Sequence, residues 1–198
     1  MNASPMTMTA GELKWELPTR GRVGMFCLIA AETSIFVIFV VAYIFYIGKS
    51  LTGPMPSEAL EVPIFFTICL LSSSFTIHLA VKALRQSDIR RFSRWWLATL
   101  ALGATFLYGT AREWQRLIYE VGLTISTNLF GTTYYSLVGL HGFHVVVGLI
   151  LLSTVMAFTW LGHVRHEHAY RVDVLSLYWH FVDAVWVVVF AVVYIIGR

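Results

Sequence analysis

The sequence predicts an all-α protein of the membrane, a polytopic bundle of five transmembrane helices with no separate soluble domain. Composition, segment length and the placement of basic residues each point there. Of the 198 residues, 58% are hydrophobic and only 13% charged, about half the charged share of a soluble domain. Five segments, about 23–47, 62–84, 96–114, 133–160 and 173–196, reach or approach the roughly 20 apolar residues that a spanning helix needs. The basic residues between them are distributed unevenly, as they are around real membrane spans.

That bias sets an orientation. With an odd number of crossings the termini face opposite sides. Placing the N-terminus in the cytoplasm puts Lys14, Arg20, Arg22, Lys82, Arg85, Arg90, Arg91, Arg94, Arg165 and Arg171 inside. Only Lys49, Arg112, Arg116 and Arg198 then lie outside. The expected topology is therefore N-terminus cytoplasmic, C-terminus outside. Residues 1–22 form a cytoplasmic N-terminal segment and 23–198 a single five-helix transmembrane domain. Residues 1–22 are polar and lack a short apolar region with a small-residue cleavage site, so the first span is expected to stay in the mature protein. The net charge of +3 is accounted for by this topology and calls for no nucleic-acid partner.

The first span carries Glu32. The second opens at Glu61-Val62-Pro63, with proline in the first turn, where a missing N–H costs nothing. Residues 85–94, RQSDIRRFSR, read as a cationic cytoplasmic turn suited to anionic lipid heads. Trp95 and Trp96 after it suit an interfacial aromatic anchor. In the fourth span Ser136, Gly139 and Gly142, followed by Gly148, form a small-residue stripe on which another helix could pack closely. Cys27 and Cys69 read as buried small apolar side chains, without the spacing of a disulfide or metal motif.

The polar residues at depth carry the functional question. At 1.5 Å per residue, Glu32 lies about 14 Å from the cytoplasmic end of its span and Asp183 about 15 Å; His144 lies about 16 Å from the opposite face. In a core about 30 Å thick all three fall near the midplane. A central aspartate costs about 2.5–3.5 kcal/mol to insert, and each Leu, Ile, Val or Phe returns about 0.3–0.6. The fourteen such residues between Val174 and Ile196 return about 4–8 kcal/mol. Asp183 is therefore tolerable, but it needs a partner. His180, one helical turn away, could bond it, or both could bond a neighbouring helix. Glu32, beside Ile29, Ile35, Phe36 and Ile38 with no cation near it in sequence, reads as a proton carrier or as a hydrogen-bond donor to lipid or another subunit.

His141-x-x-His144 has a spacing that haem, zinc and di-iron sites use. A di-iron bundle wants Glu-x-x-His pairs from two helices, which this sequence lacks. A haem would need a wide pocket, and the glycine-lined face suggests close packing instead. His163, His166 and His168 read as a solvated loop. From the residues alone, no catalytic, cofactor or metal site is assigned. A transporter, a proton relay and an accessory subunit remain open.

Five stretches decide among these by resemblance. GTTYYSLVGLHGFHVVVG (131–148) and YWHFVDAVWVVVF (178–190) closely resemble subunit III of the haem–copper respiratory oxidases. MFCLIAAETSIFVIFVVAY (25–43), EVPIFFTICLLSSSFTIHLAVKAL (61–84) and AREWQ (111–115) are similar to further helices of that family. Glu32 matches the family's intramembrane carboxylate that reacts with carbodiimides. Glu61, Glu113, His141, His144, Asp173, Trp179, His180 and Asp183 match its other characteristic polar and aromatic positions.

The resemblance implies a subunit with no redox centre, haem and copper being held by partner subunits. It implies direct contact with the catalytic subunit I, the company of other subunits including subunit II, and bound phospholipid. The place is a bacterial cytoplasmic (inner) membrane engaged in aerobic respiration and proton translocation. His141, His144, His180, Asp183, Trp179 and Glu113 are then expected in intramembrane polar packing and subunit contacts. Glu61, Arg85, Arg90, Arg91 and Asp173 are expected at lipid headgroups.

Two departures stand out. Two helices that precede the Glu32 helix in mitochondrial forms are lacking, and Thr110 replaces a common glutamine. A quinol oxidase or nitric oxide reductase accessory is an alternative. A proton-coupled transporter is disfavoured, because neither the inverted repeats nor the broken helices of that class are visible.

Overall fold

The computed structural model describes residues 19–50, 53, 54 and 56–197. Lys14 and Arg198 of the charge count, and all of the N-terminal segment before Thr19, lie outside the described residues.

The regular structure among the described residues is helical throughout: α1 (Arg20–Tyr46), a single turn α2 (Pro56–Ala59), α3 (Ile64–Arg85), α4 (Ile89–Tyr119), α5 (Leu129–Trp160) and α6 (Ala169–Phe190). A 3-10 turn, His166–His168, precedes α6, and a π-helical turn, Ala191–Ile196, extends it. Four of these runs, Arg20–Tyr46, Ile64–Arg85, Leu129–Trp160 and His166–Ile196, are long and apolar enough to cross a bilayer.

The remaining long helix, α4, differs from the expected apolar span at 96–114. It has 31 residues, about 46 Å at helical rise, which is length enough. Charged residues at both ends, Arg90, Arg91 and Arg94 and then Arg112, Glu113 and Arg116, confine its uncharged stretch to 95–111. Small and hydroxyl residues on the buried face, among them Thr99, Gly103 and Gly109, dilute that stretch further. The polarity is turned inward: Thr99 Oγ1 lies 2.7 Å from Thr76 Oγ1 of α3. The small and hydroxyl residues on this face allow close helix packing.

The helix ends follow local chemistry. Asp88 caps α4 by accepting the Arg91 N–H at 2.9 Å, and Asn128 caps α5 through the Gly131 N–H at 2.8 Å, each satisfying a donor that the first turn leaves free. The turn joining α3 to α4 is consequently shorter than the 85–94 loop read from the sequence. It spans only Gln86–Asp88, with Ser87 at φ 61°. Arg90, Arg91 and Arg94 stand on the opening turns of α4 and are exposed.

In the bundle, α3 and α4 share the longest interface, α5 touches α1, α4 and α6, and α6 touches α1, α3 and α5. Helix α1 is peripheral: Phe36 and Tyr43 are buried, while Phe26, Ile38, Val41 and Phe45 face outward. Cys27 lies on that outward surface and is exposed, contrary to the reading of both cysteines as buried; Cys69 is buried. Trp96 is no interfacial anchor either. It is fully buried and donates its indole N–H to the Leu152 carbonyl of α5 at 2.8 Å.

The centre of the bundle is Trp179 of α6, with 0% exposure. Its indole N–H donates to Ser73 Oγ of α3 at 2.8 Å. A Cβ added at Gly103 of α4 or at Gly148 of α5 would sit 2.8 Å from its ring. Four helices thus meet on one side chain. The small-residue stripe therefore works differently from expectation. Only Gly148 makes a close fit, to an aromatic ring, whereas a Cβ at Gly142 would meet nothing within 4 Å. Sequence spacing gave a face, but not the neighbour that occupies it.

Gly148→Ala is expected to destabilise the subunit by about 1–3 kcal/mol, the usual cost of overpacking. Gly142→Ala should be neutral or slightly stabilising, since alanine is the better helix former. Thermal unfolding of the two purified variants in one detergent checks the contrast.

Candidate functional site

The polar residues at depth fall into two clusters, one on each side of α6. In the first, α1 brings Glu32 to α5. Glu32 Oε2 lies 3.0 Å from His144 Nε2, and His144 Nδ1 lies 2.7 Å from the Leu140 carbonyl oxygen. A carbonyl only accepts, so Nδ1 carries its hydrogen. One further hydrogen then occupies the Glu32–His144 contact. It sits either on Nε2 facing a carboxylate or on the carboxyl group facing a bare Nε2. Phe36 tilts against the imidazole with ring centres 5.0 Å apart, fixing its plane from the side of α1.

Glu32 therefore has a partner that its sequence neighbours did not reveal. Of the apolar residues around it, Phe36 is buried on the same face, while Ile35 and Ile38 point outward. The midplane estimate was the usable signal: it put Glu32 and His144 at one depth from opposite sides.

In the second cluster, His180 and Asp183 bond α3 instead of each other. Ser74 Oγ donates to Asp183 Oδ2 and lies 3.0 Å from His180 Nδ1. With its hydrogen on the carboxylate, the hydroxyl accepts from the imidazole, giving a chain His180–Ser74–Asp183 that runs from a half-buried to a buried residue. Ser73 beside it accepts from Trp179 and donates to the Leu70 carbonyl at 2.6 Å. Asp183 is 3% exposed, and its Oδ1 has no hydrogen-bond partner among the described residues. The serine run LSSSF at 71–75 was the overlooked signal, three hydroxyls inside an apolar span.

The other expected residues divide between interior and ends. His141 is fully buried between rings, 4.9 Å from Trp186 and 5.7 Å from Phe106 by ring centres. It faces different neighbours from His144, so the two imidazoles do not converge. His141 and Trp179 are both enclosed by this chain's own helices. Among the described residues no three His, Cys, Asp or Glu side chains gather as metal ligands.

At one end of the bundle Asp173 Oδ2 accepts from Arg22 at 2.8 Å and Arg85 at 3.0 Å, tying α6 to α1 and α3. Arg90 and Arg91 are exposed nearby in sequence. At the other end Tyr194 OH donates to Glu113, 3.0 Å from each carboxylate oxygen. Glu61 pairs with Arg116 at 3.4 Å. Thr110, standing where the family often has glutamine, donates to its own helix at the Phe106 carbonyl, 3.2 Å away.

A profile of the family described as Cytochrome c oxidase subunit III matches residues 11–198. The chain belongs to the cytochrome c oxidase subunit III family. A Cytochrome c oxidase subunit 3 from a Synechocystis strain is 37% identical over 87% of this chain and 74% of its own length. Another from Bacillus strain PS3 is 34% identical over 88% and 85%. A Quinol oxidase subunit 3 from Bacillus subtilis is 29% identical over 88% and 86%. Membership makes this a membrane protein of a haem–copper oxidase and implies further oxidase subunits beside it.

Ser74→Ala leaves a buried carboxyl group without its donor and is expected to cost about 1–3 kcal/mol. Asp183→Leu added to it should recover part of that loss, because removing both partners also removes the unmet polar group. The check is thermal unfolding of the single and double variants. A double variant no more stable than the single would contradict the pairing.

Proposed function

We propose that this chain is the non-redox subunit III of a bacterial proton-pumping haem–copper terminal oxidase, of the cytochrome c type. It crosses the inner membrane five times, α4 included, with residues 1–22 cytoplasmic, 23–198 forming one transmembrane domain, and the C-terminus outside. It packs on the catalytic subunit I, in a complex that also contains subunit II and holds the haem and copper. It retains phospholipids, and it supports proton uptake and the durability of the oxygen-reducing centre.

The observation that carries this reading is the 3.0 Å contact between Glu32 Oε2 and His144 Nε2. It joins two helices inside the bundle, while about a quarter of the Glu32 side chain stays open to the surroundings. A carboxyl–imidazole pair in that position can take up or release one proton without any electron transfer. The convergence of Arg22, Asp173 and Arg85 at the end assigned to the cytoplasm agrees with the charge bias, and a mixed-charge surface of this kind suits lipid headgroups. A quinol-oxidising complex is the second reading, favoured by the 29% identity to a Quinol oxidase subunit 3.

Glu32→Ala in the intact oxidase is expected to leave the initial rate of oxygen reduction unchanged and to shorten the number of turnovers before inactivation. Recording oxygen consumption to exhaustion of activity checks this. Loss of the initial rate would contradict an accessory role.

A further inference from the structure

We propose that the pocket between α3 and α4, at their Glu61 and Arg112 ends, seats the headgroup of a phospholipid bearing a primary amine, an ethanolamine phospholipid. This rests on the lipid-holding reading above and names the lipid and the place. The cavity is about 580 Å³, and its ionisable acidic and basic lining is Glu61, Arg112, Glu113, Arg116 and Glu120, with Gln115 and Tyr119 beside them. Two guanidinium groups face three carboxyl groups there.

Their commitments differ. Arg116 donates to the Ala59 carbonyl at 2.8 Å and pairs with Glu61 at 3.4 Å, so it is already placed. Glu113 accepts the Tyr194 hydroxyl. The Arg112 side chain is exposed and makes no hydrogen bond or ion pair with any described residue. The pocket thus offers one open guanidinium, whose fork matches phosphate oxygens, beside carboxyl groups that outnumber the cations.

A phosphate linked to an ammonium answers both features. An anionic glycerol headgroup would satisfy Arg112 but set its charge against the exposed Glu120. A choline headgroup carries the positive charge but no N–H to donate to a carboxylate. The ammonium of ethanolamine has three such donors, as a lysine does.

The apolar side supports a lipid over a free phosphate ester. Ile64 and Phe65 line the pocket, and Ile64, Ile68, Leu71 and Phe75 are all exposed at helical spacing along α3. That stripe leads from the headgroup pocket down the length of the helix, giving an acyl chain a continuous apolar surface.

The test uses the intact oxidase complex in nanodiscs of equal parts ethanolamine, choline and glycerol phospholipid, with retained lipid counted by native mass spectrometry. The ethanolamine lipid should be retained in preference to the other two. Arg112→Ala and Glu120→Gln should each lower its retention about tenfold, the loss of one charged hydrogen bond. Retention that neither variant alters, or a preference for the glycerol lipid, overturns the assignment and leaves lipid holding elsewhere intact. A complex that retains no lipid of any class overturns both this site and the broader reading.

Discussion

The indole of Trp179 is the constraint on which the remaining geometry depends. It reaches from α6 into the space between α3, α4 and α5, and it fits because Gly103 and Gly148 present bare backbone to its ring. Its N–H finds Ser73, so the group is buried without an unmet donor. In lipid there is no hydrophobic gain from bringing helices together, and contact of this kind must supply the specificity. Once α6 is seated, His180 and Asp183 fall opposite Ser74, and Asp173 reaches Arg22 and Arg85.

Much of this was legible in the sequence, and the parts that were not share a cause. Helix positions followed from apolar run length: the spans expected at 23–47 and 62–84 are Arg20–Tyr46 and Ile64–Arg85. That Asp183 needs a partner was expected on cost, and Ser74 is that partner. What composition could not give was the partner across a helix boundary. Glu32 seemed to lack a partner because its neighbours along the chain are apolar, yet His144, 112 positions away, lies against it. Cys27 and Gly142 were assigned to buried surfaces from residue type alone, and both face outward or open space. The boundary of α4 was missed because RQSDIRRFSR looks like a loop by charge, whereas Asp88 caps a helix that begins at once.

The polar groups divide into those enclosed by the bundle on all sides and one pair that is not. Trp179–Ser73 and Thr76–Thr99 are saturated contacts between helices, fixed by packing on all sides. Glu32–His144 is different, because one hydrogen can rest on either partner and the carboxyl group borders the surroundings.

The central claim is that this subunit protects and supplies an oxygen-reducing machine without taking part in its electron transfer. The most direct measurement compares the oxidase purified from cells lacking this chain with the complete complex, recording haem and copper content together with oxygen consumption from first turnover to inactivation. The account predicts unchanged haem and copper and a normal first turnover, followed by early inactivation that adding back this chain prevents. Missing haem or copper, or no oxygen reduction from the first turnover, would contradict it.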